Sequence, residues 1–108
     1  MKEIVTTSII AIPEIECFFT RDDGSKFYYV EGLLHKKDDP AIEYINGTKA
    51  WYKDGKMHRD ILPALIYCNG DKEWFQNGKR HREDGPAVEY ASGSKFWYLN
   101  NKQQDMKC

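Results

Sequence analysis

Glycine returns every 23 residues: Gly24, Gly47, Gly70 and Gly93 are evenly spaced, and His35, His58 and His81, then Pro40, Pro63 and Pro86, keep the same interval. A fixed period of this size marks stacked copies of one supersecondary unit, each too small to bury its own apolar face. The period therefore sets the architecture before any propensity is weighed. It leaves the chemistry open, because an array offers a surface rather than one ready-made pocket.

Aligned on their glycines, the copies each contain two turn signals. The first is Asp23-Gly24, Asn46-Gly47, Asn69-Gly70 and Ser92-Gly93; the second is Asp54-Gly55 and Asn77-Gly78, weakened to Glu31-Gly32 and Asn100-Asn101 in the outer copies. An Asn-Gly or Asp-Gly pair between short alternating runs signals a hairpin, since both central residues of a type I′ turn need positive φ. Treating every pair as a two-residue turn predicts a register. It sets Ile42 opposite Trp51, Leu65 opposite Trp74 and Val88 opposite Trp97, with Trp51 opposite His58 and Trp74 in one row with His81. Tyr44, Tyr67 and Tyr90 then face Lys49, Lys72 and Lys95, and on the other side Ala41, Ala64 and Ala87 face Tyr52, Phe75 and Tyr98. Both sheet faces thus carry aromatic rings, although a sheet with one solvated face alternates apolar with polar, so something must cover the second face.

With 108 residues the chain is expected to be one domain: an apolar N-terminal cap or lid over 1–16, repeats over 17–104 and a frayed polar tail over 105–108. The 16 Lys and Arg nearly cancel the 17 Asp and Glu, so no global charge draws the chain to nucleic acid or anionic membrane, and 14% aromatic content excludes the signature of disorder. Cys17, Cys68 and Cys108 are odd in number and include no C-x-x-C pair; Cys17 and Cys68 read as small hydrophobes in strands. The longest early apolar run, Ile9-Ile10-Ala11-Ile12, is too short for a leader or a span. A cytoplasmic protein is expected.

The period, the ring ahead of the second turn, and the strings Asp54-Gly55-Lys56-Met57-His58 and Asn77-Gly78-Lys79-Arg80-His81 resemble the MORN repeat family. Where that family continues His-Gly-x-Gly, this chain has His81-Arg82-Glu83-Asp84-Gly85-Pro86-Ala87, which looks like a divergent branch found in bacterial and viral proteins. The resemblance covers 18–104 and implies an all-β fold: an elongated, twisted antiparallel meander of about three and a half hairpin repeats. It implies docking or dimerisation rather than catalysis, any enzymatic activity residing in another domain, and it implies no cofactor. The middle copy departs from the pattern: Asp60-Ile61-Leu62-Pro63 replaces an Asp-Gly-Pro turn and puts apolar bulk on a polar loop.

The histidine column does not make a metal site. Strands lie about 4.8 Å apart, so residues one copy apart are separated by roughly 10 Å, while zinc needs its ligand nitrogens near 2.1 Å from one point. His58 and His81 instead read as structural partners of Trp51, Trp74 and Trp97, their polar tips bonded to turn carboxylates such as Asp38-Asp39 or Glu83-Asp84. No nucleophile accompanies them, so neither catalytic nor metal residues are assigned. The expected function is a non-enzymatic protein-binding module, a small adaptor or inhibitor of the kind found in phages and mobile elements, with Tyr29, Tyr52, Phe75, Tyr98, Ile61 and Leu62 meeting a protein partner or a second copy in a homodimer. The alternatives are single-stranded nucleic acid on Lys49, Lys72, Lys95, Arg59 and Arg82 beside aromatic rings, and a membrane surface wedged by the tyrosines. Interleaved acids at Glu43, Glu89, Asp60 and Glu83 weigh against the first, and the small net charge with no face of Lys and Arg alone weighs against the second.

Overall fold

A computed structural model describes residues 16–104, and every regular element there is a β-strand. In chain order these are β1 (Glu16–Thr20), β2 (Lys26–Val30), β3 (Leu33–Leu34), β4 (Ile42–Glu43), β5 (Lys49–Ala50), β6 (Tyr52–Lys53) and β7 (Lys56–Met57), followed by β8 (Leu65–Ile66), β9 (Lys72–Glu73), β10 (Phe75–Gln76), β11 (Lys79–Arg80), β12 (Val88–Glu89), β13 (Lys95–Leu99) and β14 (Lys102–Gln104). The fold is an all-β antiparallel meander. One sheet runs β1-β2-β4-β5-β8-β9-β12-β13-β14 with β3 on the flank of β2, and β6–β7 and β10–β11 form separate two-stranded ribbons. The molecule extends 64 × 31 × 17 Å, a slab rather than a ball.

The two turn signals fold differently, and this corrects the expected register. At the second turn both residues take positive φ, as in Asp54 (51°) and Gly55 (82°), so Tyr52 pairs with Met57 and the Trp51 carbonyl accepts the His58 N–H at 3.0 Å. Even Glu31 and Asn101 adopt positive φ there. At the first turn only the glycine does, Gly47 at 95°. The Asn46 carboxamide instead accepts the Thr48 N–H at 2.9 Å, and Gly47 N–H donates to Tyr44 C=O. The loop is therefore three residues long, a turn closed by a glycine bulge.

That extra residue slides the pairing by one. Ile42 opposes Ala50 instead of Trp51, Leu65 opposes Glu73 instead of Trp74, and Val88 opposes Phe96 instead of Trp97. Tyr44, Tyr67 and Tyr90 N–H groups bond the carbonyls of Thr48, Asp71 and Ser94, not the lysines. Cys68 stands in such a turn and is exposed, not a strand hydrophobe. Because side chains alternate at each step, the slip separates the aliphatic row from the tryptophans. One row runs Phe27, Ile42, Ala50, Leu65, Glu73, Val88, Phe96; the next runs Lys26, Glu43, Lys49, Ile66, Lys72, Glu89, Lys95.

The core sits under the first of these rows. Phe27, Ile42 and Ala50 are buried, and Tyr29, Leu34, Tyr52 and Leu65 pack against them. The aromatic face expected to need a cover is thus partly covered by the chain itself, Tyr29 of β2 and Tyr52 of β6 packing onto that core. Ala41, Ala64 and Ala87 do not pair with Tyr52, Phe75 and Tyr98. Each is fully buried where three backbones meet: Ala64 N–H donates to Glu73 C=O at 2.9 Å and its own carbonyl accepts the Trp51 N–H at 2.7 Å.

Successive copies are latched twice. In the row of first turns, Ser25 Oγ, Thr48 Oγ1 and Asp71 Oδ1 accept the N–H of Ile45, Cys68 and Ala91, at 2.9, 3.1 and 2.7 Å. In the row of second turns, Leu34 and Met57 carbonyls accept Gly55 and Gly78 N–H groups. The expected lid over 1–16 falls outside the described residues except for Glu16, which opens β1, and the tail over 105–108 lies outside them entirely.

Candidate functional site

The β2–β3 hairpin and the two ribbons are each followed by a loop, residues 35–40, 58–63 and 81–86. The histidine heading each loop clamps the next copy. Nδ1 of His35, His58 and His81 accepts the N–H of Asp54, Asn77 and Asn100 at 3.1, 3.0 and 3.0 Å. A ring accepting at Nδ1 holds its proton on Nε2. That proton faces Asp60 Oδ1 at 2.9 Å from His58 and Glu83 Oε2 at 3.2 Å from His81. In the middle copy, where Ile61-Leu62 replace the acidic pair of the other loops, Asp60 supplies the carboxylate.

The residue after the histidine is a cation lying on the ring eight positions earlier. Lys36 Nζ sits 3.7 Å above Tyr28, Arg59 lies 3.8 Å from Trp51, and Arg82 lies 3.9 Å from Trp74. Arg59 also donates to Pro63 C=O at 3.1 Å and Arg82 to Pro86 C=O at 3.0 Å, so the second and third loops close on themselves. Burial against the indole lowers the Arg59 pKa. The loop is pinned from below by the next copy: Trp74 Nε1 donates to Ile61 C=O at 3.1 Å and Gln76 Nε2 to Arg59 C=O at 2.8 Å.

With its backbone held inward, the middle loop turns its side chains outward. Ile61 is 81% exposed and Leu62 54%. They wall a groove of about 560 Å³ between the first and second loops, opposite Lys36, Lys37 and Asp38 and floored by Trp51 and Tyr52. Of the residues expected to meet a partner, Tyr52, Ile61 and Leu62 share this groove. Tyr29 lines an adjoining hollow of about 330 Å³ with Phe18 and Tyr28, and Phe75 and Tyr98 stand near the Arg80 guanidinium, further along the array. All four rings are half-buried, and burial raises the Tyr52 pKa.

The residues expected to meet nucleic acid do not converge. Lys49, Lys72 and Lys95 lie on strands of the main sheet, Lys49 between Glu43 and Ile66, Lys72 between Ile66 and Glu89, and Lys95 beside Glu89. Arg59 and Arg82 belong to the loops and are engaged with tryptophan. Trp51 and Trp74 are 8% exposed and Trp97 is half-buried. Among the described residues no group of three or more His, Cys, Asp and Glu is placed to hold a metal ion, and no helix is long and apolar enough to cross a membrane.

Some features escaped the sequence reading. Lys37 and Lys53 join the groove, and no linear signal brings them together, since they lie 16 positions apart on different copies. Tyr44, Tyr67 and Tyr90 are 36%, 37% and 39% exposed once the register slips. Glu73, in a row of apolar side chains, is 5% exposed; its carboxylate accepts from Arg80 Nε at 2.8 Å and from Tyr67 Oη at 3.4 Å. That first bond raises the Arg80 pKa, while burial and then the Glu73 charge raise the Tyr67 pKa. In comparisons with family models, curated proteins and solved structures, the chain matches none.

Proposed function

We propose that this chain is a divergent MORN-like repeat array acting as a non-enzymatic protein-docking module, with the Ile61-Leu62 groove as its contact site. The observation that supports this is the pairing of a pinned backbone with outward apolar side chains: Trp74 and Gln76 hold the loop while Ile61 and Leu62 face solvent. Ordering such a loop on binding costs little further entropy, which is the condition for a contact residue to add affinity. The double variant Ile61→Asp/Leu62→Asp removes no internal hydrogen bond, so it should keep its circular dichroism spectrum and melting temperature while losing a protein that the wild type captures specifically from host extract. Identical capture by both would refute the reading.

A second reading has one observation in its favour. In the Lys-Glu row, Ile66 stands where the flanking copies have Glu43 and Glu89, leaving Lys49 and Lys72 on either side of an uncharged residue near the exposed Tyr44 and Tyr67. Cations beside rings suit single-stranded nucleic acid. Micromolar binding of an oligonucleotide that weakens steeply with salt would favour this reading over docking.

A further inference from the structure

We infer that the groove between the first and second loops takes an extended acidic peptide of a partner protein, one of whose carboxylate or carbonyl oxygens accepts the indole N–H of Trp51. The inference rests on the docking reading above and names the chemistry of the partner. Trp74 shows what the indole of this repeat position needs, since its Nε1 donates to Ile61 C=O at 3.1 Å. One copy earlier the matching carbonyl is that of Asp38, yet Trp51 Nε1 is buried with no acceptor among the described residues. Trp51 itself is only 8% exposed. Asp38 has φ of 69°, the one positive value among the described residues outside the hairpin turns. A buried donor without an acceptor and a loop held in a left-handed conformation are both costly, and both sit at one groove. An acceptor arriving from outside, with the loop yielding at Asp38, relieves them together.

Charge selects what brings that acceptor. The groove gathers Lys36, Lys37, Lys53 and Arg59 against Asp38 and Asp60, and the Asp60 carboxylate is already 2.9 Å from His58 Nε2. The corresponding groove one copy on has Arg82 against Asp60, Glu83 and Asp84. The same fold thus presents opposite signs in successive grooves, and an acidic segment is drawn to the first alone. Ile61 and Leu62 add an apolar wall that suits a peptide side chain. Bases have less to stack on, because Lys36 covers Tyr28 and Arg59 covers Trp51.

The test uses a fluorescein-labelled peptide of Glu-Leu-Ser repeats, its Gln-Leu-Ser counterpart and an oligothymidylate of similar length, each titrated into the whole protein by anisotropy. The acidic peptide should bind and the glutamine peptide should bind roughly tenfold more weakly. A similar loss is expected for the exposed charge reversal Lys37→Glu/Lys53→Glu. In a ¹⁵N spectrum the Trp51 indole signal, assigned with Trp51→Phe, should move downfield on adding acidic peptide while the Trp74 signal stays. Equal binding of both peptides, tighter binding of the oligothymidylate, or an unmoved Trp51 signal would overturn the inference. If Ile61→Asp/Leu62→Asp abolishes capture of the protein partner and Lys37→Glu/Lys53→Glu leaves it intact, docking stands and the acidic peptide falls.

Discussion

His58 bonds two parts of the array with one ring, accepting from the Asn77 N–H at 3.0 Å and facing the Asp60 carboxylate at 2.9 Å. Replacing it with Phe keeps the bulk against Trp51 and deletes both bonds. Because the Asn77 N–H is near solvent, water recovers part of the loss, and the His58→Phe variant should be about 1 kcal/mol less stable in urea unfolding. A variant as stable as the wild type would show that the ring serves only as packing. Tyr52 gives a pH signature. Burial holds its phenol above the ordinary value of 10.0, so the folded state resists ionisation more than the unfolded chain. Its contribution is complete below pH 10 and is lost as pH rises through the raised value. Tyr52→Phe should therefore lose less melting temperature than the wild type on passing from pH 9 into this alkaline range. Parallel losses would remove Tyr52 as the cause.

At the scale of the strand, β9 and β11 carry an exchange between copies. The positions filled by Ala50 and Met57 in one repeat hold Glu73 and Arg80 in the next, and the pair is joined at 2.8 Å with Glu73 buried. A buried carboxylate tolerates loss of its cation poorly, whereas removing both partners leaves no unpaired charge. Arg80→Met alone should cost about 2–3 kcal/mol, moderated by the partial exposure of the guanidinium, and Glu73→Ala/Arg80→Met should recover most of it. A double-mutant cycle by chemical denaturation measures this; additive losses would show the pair to be uncoupled. The turns show how far an element can be read from its letters. Asn-Gly and Asp-Gly located five of the turns, the 23-residue period located those at Glu31-Gly32, Ser92-Gly93 and Asn100-Asn101, and Asp54-Gly55 and Asn77-Gly78 take positive φ at both residues, as a type I′ turn requires. Asn46-Gly47 and Asn69-Gly70 have the same letters but close by a hydrogen bond from the N–H after the glycine to the asparagine side chain. The difference lies in the residue beyond each glycine: Thr48 and Asp71 offer acceptors to the next turn in the stack, an interaction between copies that no local propensity contains.

Over the whole molecule, stability is a sum over like neighbours, because each copy meets only the next. Inserting a second copy of residues 48–70 should extend the slab without disturbing it, adding two strands to the main sheet and about 10 Å to the longest dimension. Small-angle scattering reads that length, and a more compact or aggregated particle would contradict an open array. The groove belongs to this scale too. Ile61-Leu62 marked a departure from the repeat, and it was visible as such in the sequence. That Lys36, Lys37 and Lys53 gather opposite it, and that Trp51 beneath them lacks an acceptor among the described residues, depends on how one copy lies on another.

By itself the sequence determined the period, the strand-and-turn alternation and therefore the antiparallel array, since those stem from backbone preferences within a few residues of each glycine. Tertiary structure alone decided the register of the first hairpins, the inward packing of Tyr29 and Tyr52, and the sign of each groove. The physical reason is range: a one-residue difference in a turn reverses every side chain beyond it, and contacts between residues about 20 positions apart, Ser25 with Ile45 or His58 with Asn77, choose which turn forms.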